Sequence, residues 1–181
     1  MELLTERQAM EWCVERGFRV GDGPPDRAGF EGVHASRFRI RVPEEATAAI
    51  ALSYMVLLTE VADYEESNFE GAMVWLRRWQ VWSESIDRVG YKLLDGVTGS
   101  GTEDGWLNDT PAFVFTGNEL VPAHACLSVP MLFQWDAYFL PMGAGFLVFV
   151  SHHGYLHIAA REEARAPLLE RFREWSPEDD Q

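Results

Sequence analysis

Val74-Trp75-Leu76-Arg77-Arg78-Trp79-Gln80-Val81-Trp82-Ser83 sits inside the run Phe69 to Leu94, and its tryptophans fall four and then three residues apart. Ile86, Val89 and Leu93 continue the same alternation, the spacing of one face of a helix. Ser67 and Glu70 make a capping-box pattern that starts this helix near Asn68. Gly71 and Ser83 weaken it, and Ser83-Glu84-Ser85 is where it would break. Indole rings bury much apolar area, so the expected role of the helix is central packing. The alternative is an aromatic groove walled by Trp75, Trp79 and Trp82, with Tyr64 and Glu66 beside it, in which acids hold a cationic ligand over the tryptophan faces.

Outward from this run, Thr5 and Gln8 form another capping-box pattern, and Gly17 closes a short first helix. Gly21 to Gly32, with Pro24-Pro25, reads as irregular. Phe38 and Ile40 alternate with Arg37, Arg39 and Arg41, which predicts a strand with one buried and one basic face. Pro43 ends it, and Glu44 and Glu45 favour the start of a helix that runs to Leu58, a strand over Ile50 to Leu58 being the alternative. Asp95 to Pro111 is rich in Gly, Asp and Thr and reads as a connection.

The second half changes character. Phe113 to Thr116, Ala125 to Phe133, Trp135 to Leu140, Gly145 to Ser151 and Tyr155 to Ala160 are short, aromatic or β-branched, and bounded by turn residues. A last helix is expected from Pro167, with Leu168, Leu169, Phe172 and Trp175 inward, followed by a frayed Glu178-Asp179-Asp180 tail. The expected fold is one α+β domain over residues 1–181. It has an antiparallel meander in the C-terminal half packed against the long tryptophan-bearing helix and flanking helices, with mobile loops near 21–32 and 95–111.

A chain of 181 residues, 47% hydrophobic, can bury one sizeable core. Its formal charge of −14 repels phosphate backbones and anionic lipid, which argues against nucleic-acid and membrane partners and favours a basic protein or cationic ligand. Two cysteines, Cys13 and Cys126, are too few for a disulfide framework, and the N-terminus lacks a signal-peptide profile, so a cytoplasmic location is expected. The apolar stretches Ala46 to Leu58 and Ala137 to Val150 are too short to span a bilayer as helices.

Chemistry-bearing residues are sparse. A two-residue turn at His153-Gly154 would pair His152 with Tyr155 and Val150 with His157, and would place His152 and His157 away from an apolar face of Leu147, Phe149, Leu156 and Ile158. His124 and Cys126, two apart on an expected strand, would share a face. If the strands were adjacent, His124, Cys126, His152 and His157 would offer a zinc-type ligand set. Cys126 with His124 and Asp136 would be the residues of a thiol-dependent hydrolase, although a buried, inert thiol explains Cys126 more simply. Gly99-Ser100-Gly101-Thr102-Glu103-Asp104-Gly105 lacks the phosphate-engaging lysine of a nucleotide loop and carries two repelling acids. No cofactor is expected.

The segment Val74 to Ser83, and Gln134-Trp135-Asp136-Ala137-Tyr138-Phe139-Leu140 leading to Phe149-Val150-Ser151-His152, resemble corresponding stretches in a loose group of uncharacterised bacterial proteins. Gln80 stands where that group would have glycine. The group has no activity to carry over, so the resemblance assigns no functional residue. The sequence therefore points to a non-enzymatic, acidic, cytoplasmic binding protein, an accessory or immunity-type partner of a basic protein. The competing expectation is a small metal- or thiol-dependent hydrolase built on the histidines and cysteine.

Overall fold

The computed structural model describes residues 1–20, 28–58, 69–78, 84–98, 111–143 and 145–180. Among them an eight-stranded sheet, antiparallel at every pairing, runs in the order β1 (Glu2–Leu4), β6 (Ala112–Thr116), β5 (Gly71–Arg78), β7 (Asp136–Pro141), β8 (Phe146–Ser151), β9 (Tyr155–Ala160), β4 (Ser36–Arg41) and β10 (Glu178–Asp179). Helices α2 (Ala46–Leu58), α3 (Glu84–Thr98), α4 (Leu120–Phe133) and α5 (Glu162–Arg171) accompany it, together with α1 (Glu6–Glu15) and the small hairpin β2 (Phe18–Arg19) and β3 (Gly29–Phe30). The fold is α+β with an antiparallel sheet, and β7, β8 and β9 form its C-terminal meander.

Each face of the sheet is covered. On one side Phe38, Val74, Phe113, Phe139 and Val148 meet Leu52 and Val56 of α2, Leu94 of α3, Cys126 and Leu127 of α4, and Leu168 of α5. On the other, Met73, Trp75, Tyr138, Leu147 and Phe149 meet Trp12 of α1 and Phe18 and Phe30 of the hairpin. That double coverage explains the principal correction: Gly71–Arg78 is a strand, so Trp75 belongs to no helix. A strand buried on both faces loses its polar alternation and reads as a continuous apolar run that periodicity cannot separate from a buried helix segment. Trp79 and Trp82 lie outside the described residues, as do Tyr64 and Glu66. The described helix in this region is α3, Glu84–Thr98, whose inward side is set by Gly90 and Leu94, while Val89 and Leu93 are exposed.

The same loss of period misleads at Ala125 to Phe133, which is the body of α4 rather than a strand. The helix is apolar nearly all round, and Pro130, which suggests a break, is accommodated inside it. Other departures are smaller. Gly29–Phe30 is a strand within the stretch expected to be irregular, and α3 extends through Thr98, past Asp95; residues 21–27 and 99–110 lie outside the described residues. Helix α5 opens at Glu162, with Pro167 inside it, and the acidic tail pairs with β4 as β10 instead of fraying.

Local signals held where they were specific. Thr5 accepts from the Gln8 backbone N–H and Gln8 Oε1 accepts from the Thr5 backbone N–H, completing the capping box of α1. β4 buries Phe38 and Ile40 and turns its arginines the other way, and α2 follows Pro43 as expected. No helix among the described residues is long and apolar enough to cross a membrane.

Candidate functional site

The thirteen residues of α2 and the fourteen of α4 contain no Asp, Glu, Lys or Arg. The two helices pack together, with the Ser53 and Ser128 hydroxyls hydrogen-bonded at 2.7 Å in the buried contact. A buried hydroxyl needs such a partner, since an unmet one costs about 1–3 kcal/mol. On the outer side, His124 Nε2 donates to the Ile50 carbonyl at 3.2 Å, and its ring meets Tyr54 edge-on at 5.1 Å. Val121, one helical turn before His124, is 75% exposed and Ile50 39%. Ile50, Tyr54 and His124 thus form a connected, uncharged surface on a strongly acidic chain, with exposed Val121 one turn away on α4. An exposed apolar patch of this kind marks an interaction site more often than isolated surface residues do.

The opposite side of the sheet holds a row of rings across four strands. Trp75 faces Tyr138 at 6.2 Å, Tyr138 faces Phe149 at 5.0 Å, and Phe149 faces His157 at 6.2 Å. Trp75 is fully buried, with Arg77 over its ring and its Nε1 unpartnered among the described residues. It is a core residue, not the wall of an exposed groove. Two carboxylate–imidazole pairs flank the row. Asp136 Oδ1 accepts from the His152 backbone N–H at 2.8 Å and from His152 Nδ1 at 2.7 Å, and Asp180 Oδ2 accepts from His157 Nδ1 at 2.7 Å.

The β8–β9 connection differs from the two-residue turn expected. Ser151 pairs with Tyr155 and Phe149 with His157, so three residues, His152-His153-Gly154, make the turn, with Gly154 at φ 77°. The register moves by one position, and a shift of one exchanges the faces. Phe149 and His157 therefore share one face, while Leu156 and Ile158 lie on the other. His152 leaves the sheet to bind Asp136, and His157 is held by the tail that sequence reading left frayed.

These placements separate the residues of the hydrolase expectation. Cys126 and His124 are on the helical side, with Cys126 fully buried and His124 at the outer surface, whereas His157 lies across the sheet. Of the thiol group, Asp136 is joined to His152 rather than to His124 or Cys126. Among the described residues no three His, Cys, Asp or Glu side chains gather as a metal site.

Burial also sets the thiols' reactivity. It pushes Cys126 well above the ordinary thiol range, and pushes Cys13 from 9.0 up to about 12 despite the opposing pull of Arg77 and Arg16. The thiolate is the reactive form, so an alkylating reagent at pH 8 is expected to leave both native cysteines unlabelled and to label both in denaturant. The protonated Cys13 favours the fold below pH 9, and that contribution is lost as the pH rises toward 12. Rapid labelling of native Cys126 at pH 8 would contradict this burial.

Sequence reading missed Ile50, Tyr54 and Val121 as surface candidates. The available signal was the absence of charge from 46–58 and 120–133 in a chain that is 24% charged. No protein-family model, curated protein or solved structure matches this chain.

Proposed function

We propose that this is a non-enzymatic cytoplasmic protein that acts by binding a basic protein partner through the outer surface of α2 and α4. The observation that carries the reading is the uncharged surface of Ile50, Tyr54, Val121 and His124 on a chain of net charge −14. The acidic field attracts a basic partner over distance and speeds encounter, while desolvated apolar contact sets the lifetime of the complex. The partner thus carries an apolar patch within a basic surround.

The test compares the parent with an Ile50→Glu, Val121→Glu double variant, each immobilised and exposed to native lysate at low and moderate salt. The expected result is a basic protein retained by the parent, with salt slowing its association, and bound at least tenfold more weakly by the variant, about 1.4 kcal/mol. Equal retention by both proteins would remove the helix face from the interface. Loss of every specific partner at both salt concentrations would leave the reading without support. Concentration-dependent self-association that the double variant abolishes would assign the face to a second copy and overturn the basic-partner reading.

A further inference from the structure

At one end of the sheet, β9 pairs with β4 along all six residues from Ser36 to Arg41, whereas β10 pairs with only two of them. Glu178 stands opposite Arg39 and Asp179 opposite Phe38, and the Asp180 N–H donates to the Arg37 carbonyl at 3.3 Å. Three consecutive acids thereby meet bases on three different elements. Arg39 of β4 donates from Nε and Nη2 to Glu178 Oε2 at 3.1 and 3.0 Å. Arg165 of α5 donates to Asp179 Oδ1 at 2.8 Å, and His157 of β9 donates to Asp180 Oδ2 at 2.7 Å.

Two of these bases are also positioned by contacts that do not involve the acids. The Arg39 guanidinium carbon lies 4.8 Å from the centroid of the Tyr155 ring, and the His157 ring meets Phe149 and Tyr155, each at 6.2 Å. The acids are attached less firmly. Glu178–Asp180 carries no apolar side chain, Glu178 and Asp179 are exposed, and Pro177 just before them has no N–H with which to extend the ladder toward Ile40 and Arg41. Ion pairs between partly exposed groups each contribute little and are screened by salt. The edge of β4 is thus both longer and better fixed than the segment that covers it.

We infer that the edge of β4 is a docking strand for an extended acidic segment of a protein partner, and that Glu178–Asp180 occupies it in cis as a displaceable substitute. An extended peptide adds a strand to a sheet edge through main-chain hydrogen bonds, and its side chains supply the specificity. Strand alternation sends Glu178 and Asp180 to the face of Arg39 and His157, which are paired across β4 and β9, and Asp179 to the face that α5 covers. The edge therefore reads acids on both faces. A partner strand without proline at the position of Pro177 also pairs with Ile40 and Arg41, and those added ladder bonds offset the high effective concentration of the cis segment. The overall negative charge does not forbid this, because exposed acids beyond roughly 10 Å are largely screened at 0.1 M salt. The inference is independent of the proposed α2–α4 surface, which is built from other elements.

Fluorescence anisotropy of the labelled peptide Thr-Val-Glu-Asp-Asp-Val-Thr tests it on the full chain. The parent is compared with a Glu178→Ala, Asp179→Ala, Asp180→Ala triple variant, which removes the three acceptors of the cis segment and leaves the bases in place. At low salt the peptide is expected to bind the triple variant saturably and at least tenfold tighter than the parent. Arg39→Ala or Arg165→Ala, added to the triple variant, is expected to weaken the peptide at least tenfold, and Arg7→Ala, on the outer surface of α1, to leave it unchanged. The neutral peptide Thr-Val-Gln-Asn-Asn-Val-Thr is expected to bind at least tenfold more weakly than the acidic one. Absence of saturable binding to the triple variant would overturn the proposal. Equal affinity for parent and triple variant would also overturn it, since the cis segment would then not cover the docking edge, as would equal binding of the acidic and neutral peptides.

Discussion

Trp135→Ala is expected to destabilise the protein by about 3–5 kcal/mol, the usual cost of truncating a fully buried large aromatic side chain. Trp135 has no exposed surface and lies just before β7, with Phe133 at 5.5 Å and Tyr91 at 5.7 Å between ring centroids. It therefore joins the end of α4 to α3 and to the first strand of the meander. Gly90 completes the fit, because a Cβ there would come within 2.4 Å of Trp135 Cη2. The surroundings are fixed by helix and sheet, so the space left by the ring cannot close. Denaturant titration should show a lower midpoint, and heating a fall in melting temperature on the order of 10 °C for a chain of this size. An unchanged midpoint would contradict the packing of α3 on α4.

Gly71→Ala is expected to cost about 2–4 kcal/mol, because it combines a strained backbone conformation with a steric overlap that has no soft side. Gly71 has φ 141°, and an added Cβ would lie 2.4 Å from the Phe115 carbonyl oxygen and 3.0 Å from Met142 Sδ. Met142 can move, but the Phe115 carbonyl belongs to the strand paired beside it. Relief therefore disturbs the Gly71–Thr116 pairing or the 2.8 Å bond from the Met142 N–H to the Gly71 carbonyl. Gly96→Ala is the control, since that glycine is in α3, is exposed, and has nothing within 4 Å of an added methyl. There the loss of unfolded-state freedom should stabilise by roughly 0.5–1 kcal/mol. Equal shifts for the two variants in denaturant titration would defeat the steric argument.

The candidate surface was only partly legible before folding. The letters of α2 and α4 show the absence of charge, but the exposure of Ile50 and Val121 depends on which sides the two helices turn to each other and to the sheet. Asp136 and His152 are sixteen residues apart in the chain and meet through strand pairing and the turn between β8 and β9.

By itself the sequence determined the features that local chemistry specifies: the capped first helix, the alternation of β4, the helix after Pro43, and strands β6 to β9 with the exception of what lies between β6 and β7. Caps, turn residues and alternation suffice where one side of an element meets water or a turn fixes its end. Tertiary structure alone decided that Gly71–Arg78 is a strand and Leu120–Phe133 a helix, because elements buried all round carry no polar face to set a period. It also decided the three-residue turn at His152 and the capture of the acidic tail by β4, where Arg39 meets Glu178 at 3.0 Å. Those outcomes depend on partners distant in the chain, and their free energy becomes available only when the sheet has brought them together.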